Sequence, residues 1–121
     1  MKIFTIKENI FKTEPLFILD CSYFEMINYL KRKYHIIIEN EDESTTCGRM
    51  FTFDKTPWRV VWTKNKTLPE IFHETFHLVT RICADKGIPI VAHFSSGEIG
   101  DETAAYLFEF FSRTILRKIR R

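Results

Sequence analysis

A chain of 121 residues, 45% hydrophobic and 15% aromatic with twelve Phe, holds material for one packed core. That excludes a disordered tail and a two-domain enzyme. Eighteen Lys and Arg against sixteen Asp and Glu leave a net charge of +2, which argues against a whole-surface grip on nucleic acid.

Residues 2–7 alternate as a short strand, and Leu16 to Leu19 after Pro15 form a second one. Asp20 or Ser22 can cap an amphipathic helix over 22–34, with Tyr23, Phe24, Ile27, Leu30 and Tyr34 on its apolar side. Lys31, Arg32 and Lys33 suit the negative pole of that helix. The β-branched run 35–38 predicts a short strand, and the acidic stretch 39–46 a solvated loop. Runs 47–54 and 57–63 predict a hairpin. Thr67 with Glu70 is a capping-box pattern opening a helix that Gly87 and Pro89 end. Residues 88–100 read as a loop, and Asp101 as the cap of a last helix running through Leu107, Phe111 and Ile115 to a basic end.

Cys21, Cys47 and Cys83 are far apart with no Cys-x-x-Cys pair, which fits a reducing compartment. No apolar run is long enough for a membrane span, and the N-terminus has no signal-peptide pattern. The expectation is a single cytoplasmic domain over 1–121 with no membrane partner.

The informative segment is His73-Glu74-Thr75-Phe76-His77, a His-Glu-x-x-His on a predicted helix. Histidines at i and i+4 share a face, so both imidazoles can reach one zinc ion. Glu74 can then take a proton from a water that the ion activates. Chance also produces this motif, so context decides. Here it lies mid-helix directly after a strong strand, and Leu68, Phe72, Val79 and Ile82 are expected to pack the core while the histidines face elsewhere. The plain alternative is a helix with two surface histidines.

A catalytic zinc takes three protein ligands and keeps one position open. Glu102 is the leading third candidate, because Ala104 and Ala105 let its helix approach closely. The competing account is a carboxylate placed to favour the helix dipole. Asp101, Glu98 and His93 are further candidates. Cys83 stands where a metzincin ligand would, but Thr80 replaces the glycine such a turn needs, so a buried, inert thiol is expected. Tyr106, one turn beyond Glu102, can donate to an oxyanion or ligand, or serve as an amphipathic core residue. His93 can face the site or simply be exposed. Arg113, Arg117, Lys118, Arg120 and Arg121 read as a solvated helix end, with an acidic partner or nucleic acid as the other reading.

With His73, Glu74 and His77, and the downstream Glu102-x-x-Ala105-x-x-Phe108, the chain resembles small zincin-like metallopeptidases of the gluzincin type. The nearest in character are the short His-Glu-x-x-His proteins of phages and prophages. The Glu-x-x-Ala segment is similar to that of the ImmA/IrrE group, whose members cleave repressors. The resemblance spans 46–116 loosely.

It implies an α+β fold: a small mixed or antiparallel sheet, a backing helix, an active-site helix and a C-terminal ligand-bearing helix. It implies Zn²⁺ on His73, His77 and Glu102, with Glu74 as general base and acid. It also implies that run 57–63 borders the cleft, where an extended peptide from an intracellular protein substrate would pair. Departures are Asp101 where larger gluzincins have Asn, and the lack of an extra domain or a helix-turn-helix. The alternative is a non-catalytic metal-binding interaction module on the same scaffold.

Overall fold

A computed structural model describes residues 1–39, 46–88 and 99–120, with residues 99–101 described by their backbone alone. The elements in chain order are β1 (Lys2–Thr5), β2 (Leu16–Leu19), α1 (Tyr23–Tyr34), β3 (Gly48–Thr52), β4 (Arg59–Thr63), α2 (Leu68–Asp85) and α3 (Ile99–Ile119). The four strands form one mixed sheet in the order β1-β2-β4-β3. β1 pairs antiparallel with β2, β2 parallel with β4, and β4 antiparallel with β3. The fold is thus a small mixed sheet with three helices.

The two central strands explain the layering. All four residues of β2 and four of five in β4 are buried, as expected of strands covered on both faces. Because side chains alternate, Leu16, Ile18, Val60 and Trp62 point to one side and Phe17, Leu19 and Val61 to the other. The first set packs on Tyr23, Met26, Ile27 and Leu30 of α1, the backing helix. The second packs on Ile71, Leu78, Val79 and Ile82 of α2 and on Leu107, Phe111 and Ile115 of α3. Trp62 stacks edge-on against Tyr23 at 5.3 Å and donates its indole N–H to the Cys21 carbonyl at 3.0 Å. Cys21, Cys47 and Cys83 are all free thiols. No described helix is long and apolar enough to cross a membrane.

Ser22 is the cap of α1: its hydroxyl accepts from the Glu25 N–H at 3.1 Å, while Glu25 accepts from the Ser22 N–H at 3.0 Å. This reciprocal box satisfies two helix-end donors at once. Phe24, expected on the apolar side, is instead exposed.

Four further expectations need correction. Residues 35–38 are not a strand. His35 takes the left-handed C-cap position, at φ 58°, and Ile36 bonds back to the Leu30 carbonyl at 3.3 Å. Closing the helix uses the backbone groups that a strand would have needed. Thr67 precedes α2 with no side-chain cap bond, so the Thr67–Glu70 box does not form; Glu70 accepts from Asn65 at 3.4 Å instead. In α2, Val79 and Ile82 are buried in the core and half-buried Phe72 packs against it, as expected, but Leu68 is exposed, and Ile71, Thr75, Leu78 and Cys83 complete the buried face. Lastly, α3 begins at Ile99, so Asp101 lies inside its first turn rather than capping it.

Gly87 follows α2 with φ +70°, a left-handed conformation that glycine adopts without steric cost. The Ile88 N–H then closes onto the Cys83 carbonyl at 2.8 Å.

Candidate metal centre

The helical repeat puts His73 and His77 one turn apart on the side of α2 turned away from the core. Their Nε2 atoms are 3.2 Å from each other, with the rings nearly perpendicular at 86°. Glu74 is different. It is buried, 8% exposed, and its Oε2 lies 3.9 Å from the His73 Nε2. Burial raises the Glu74 pKa above its ordinary value, while His73, His77 and Arg49 pull it the other way.

What holds Glu74 there is the backbone of β3. A Cβ built on Gly48 would sit 3.0 Å from the Glu74 Cγ, 3.3 Å from its Oε2 and 3.0 Å from the Trp62 carbonyl oxygen. The missing side chain makes the space that the carboxylate occupies. Gly48→Val should therefore push Glu74 out of its seat, because the Trp62 backbone cannot yield on the other side. Nuclear magnetic resonance titration of the histidine ring protons would check this: their shifts should change in Gly48→Val, and unchanged shifts would show that the contact is slack.

Two cavities, of about 660 Å³ and about 440 Å³, meet beside Gly48, His73 and Glu74 and together make a groove along β3. β3 closes the sheet and pairs only with β4 among the described residues. This corrects the expectation that run 57–63 borders the cleft with a free edge. β4 is hydrogen-bonded on both sides, to β2 and to β3, and has no edge to offer a peptide.

Among the described residues, the other candidates are not assembled around the histidines. Among the described residues, no group of three or more His, Cys, Asp or Glu is placed to hold a metal ion. Glu102 is exposed in the first turns of α3 and does not join the pair in such a group. Tyr106 directs its hydroxyl to the buried Glu8, donating to Oε1 at 3.3 Å, and it lines neither cavity. Glu8 in turn accepts from the Ile10 and Phe11 N–H groups at 2.7 and 2.8 Å. Tyr106 is raised by loss of solvation first and by Glu8 second. Cys83 is fully buried in the core and its thiol is pushed up by burial, in keeping with an inert side chain. His93 and Glu98 lie outside the described residues, as does the Asp101 side chain.

Among the groove residues not singled out from the sequence are Gly48, Arg49 and Arg81. A glycine opening a strand pattern signals close backbone approach. Arg81 continues the spacing of His73 and His77 by four more residues. Both signals were available in the chain. Comparison with protein-family models, with curated proteins and with solved structures returned no match.

Proposed function

We propose that the chain is a zinc-dependent metallopeptidase, a minimal zincin-like domain that hydrolyses a peptide bond in an intracellular protein or peptide. The observation that carries this reading is the His73–His77 convergence at 3.2 Å with the buried Glu74 carboxylate beside it. Nitrogens held roughly 2.0–2.1 Å from a tetrahedral zinc lie roughly 3.3–3.4 Å from each other, so the pair suits that ion. The described residues gather no third ligand at the pair; this reading assigns it to the first turns of α3, with Glu102 ahead of Asp101, which requires α3 to approach the histidines when the ion binds. Zinc, when bound, would supply Lewis acidity toward a water and a scissile carbonyl.

The chain's own part follows from its geometry. Glu74 takes the proton from the attacking water and hands it to the leaving amine. Burial favours that role by making the carboxylate more basic than an exposed glutamate. The outer edge of β3 holds an extended substrate by main-chain hydrogen bonds. Tyr106, tied to Glu8, supports α3 in this reading rather than touching substrate.

Chelator-stripped protein should take up about one zinc per chain, measured by elemental mass spectrometry. The reloaded protein should cleave members of a mixed peptide library, and chelator should stop it. A protein that takes up no zinc ends this reading. Zinc uptake without any cleavage would favour the second one, a metal-binding interaction module.

A further inference from the structure

The pairing of β3 with β4 fixes which backbone groups of β3 face outward. Arg49 stands opposite Trp62 and Phe51 opposite Val60. At the two ends of the ladder the Lys64 N–H donates to the Cys47 carbonyl at 2.8 Å and the Phe53 N–H to the Trp58 carbonyl at 2.7 Å. Bonded pairs recur at every second residue of an antiparallel ladder. Cys47, Arg49, Phe51 and Phe53 therefore turn their N–H and C=O groups toward β4. Gly48, Met50 and Thr52 turn theirs away, and no described residue bonds to those outward groups.

Side chains alternate with the same period. Met50 shares the face of Gly48, and its half-buried side chain packs on the core cluster that includes α2. The smaller cavity groups residues 46–48 with 69–74 and the larger one 48–50 with 73–84, so strand and helix run in the same direction. Two residues of strand advance about 6.8 Å, which a helix covers in roughly four to five residues. Gly48 is level with Glu74, so Met50 is level with the turn after His77, where Thr80 and Ala84 line the same cavity. Ala84 offers a methyl group, and the Thr80 hydroxyl is already donated to the His77 carbonyl at 2.8 Å. The two arginines of this cavity are engaged beside it: Arg81 pairs with Asp85 at 3.4 Å, and the Arg49 guanidinium lies 5.7 Å from the Phe51 ring centre.

We propose that Met50 is a specificity-determining residue, which takes a large apolar side chain of an extended peptide into the space between itself and Ala84. The peptide bonds to the outward groups of Gly48 and Met50. Its side chains on the α2 face then recur every second residue, in either direction of the peptide. One lies against Gly48, beside Glu74 and the histidines, and the next meets Met50. A cross-strand neighbour of this kind is the unit of sheet pairing. Methionine is unbranched and adaptable, so the selection is for apolar bulk rather than for one shape. The inference rests on the metallopeptidase reading for its place in catalysis, but peptide binding itself needs no metal.

Metal-free protein and labelled ten-residue peptides provide the test. A Ser/Thr host peptide carrying one Leu should bind about tenfold more tightly than the same host with Ser at that position. Amide hydrogen exchange, followed by nuclear magnetic resonance, should show Gly48 and Met50 gaining protection when the Leu peptide binds. Arg49 and Phe51, already paired with β4, should change little. Met50→Gln should reduce the Leu preference severalfold. Ala84→Leu, at an exposed position of α2, should do the same by filling the space from the other wall. Equal binding of the two peptides overturns the proposal, as does binding without protection at Gly48 and Met50. A preference that survives both substitutions overturns it as well. If one variant does not fold, the other variant and the exchange pattern of the unaltered protein still decide. Zinc uptake on the same preparation keeps the two questions apart: no zinc with a Leu preference sinks only the peptidase reading, whereas zinc without the preference sinks only the role of Met50.

Discussion

On the metallopeptidase reading proposed above, Glu74→Gln keeps the zinc and loses the hydrolysis. Glutamine preserves the shape of the side chain that lies against Gly48, so the seat stays filled and the histidine pair stays where it is. The amide cannot accept a proton from water at neutral pH. Removing a general base costs roughly 10²–10⁴-fold in rate, and a peptide-cleavage assay at matched zinc content would read it. Full activity in this variant would remove Glu74 from the chemistry.

The same variant has a second signature that needs no substrate. The folded protein holds the Glu74 proton more tightly than the unfolded chain does. A raised carboxylate contributes stability below its unfolded pKa and loses it as pH rises through the folded value. At neutral pH the buried charge is therefore a cost. Metal-free Glu74→Gln should melt above the parent protein at pH 8, with the difference closing as the pH falls below the ordinary 4.5. A constant difference across that range would mean that Glu74 is well solvated.

On the same reading, zinc should stabilise the parent protein, and His73→Ala and His77→Ala should each abolish that stabilisation. A ligand present at a hundredfold its Kd stabilises the folded state by about 2.7 kcal/mol. For a domain of this size that is roughly 10 °C in melting temperature. Both rings lie outside the core, with the His73 side chain 68% exposed, so their removal should leave the metal-free melting temperature almost unchanged. Calorimetry with and without zinc gives both numbers. A metal-free protein that collapses in either variant would make the histidines structural. A zinc shift that survives both would place the ion elsewhere.

How much of this was legible in the chain depends on how local each feature is. The His73–His77 pair follows from helix geometry alone, because four residues return the chain to the same face. β2, β4 and the cap of α1 are similarly local, fixed by apolar runs and by the Ser22–Glu25 spacing. The run 35–38 misled because its β-branched composition competes with a helix end that takes the same backbone groups. The Thr67 pattern misled because spacing permits a box without requiring one. Sheet order lay beyond reach. No periodicity says that β4 runs between β2 and β3, or that β3 therefore carries the groove. Glu74 could be named, but its seat on Gly48, 26 positions earlier, is a fact of tertiary packing.

Tyr106 reaches Glu8 across 98 positions of sequence. Nearby, Lys118 lies 5.9 Å from the Phe4 ring, and Phe111 packs on Phe17 at 6.5 Å. The opening strand and the final helix thus share one patch of core. A ribosome releases the first long before the second, so the part of this sheet face that α2 leaves open stays uncovered until α3 emerges. Apolar surface exposed over such an interval is the general condition under which nascent chains aggregate.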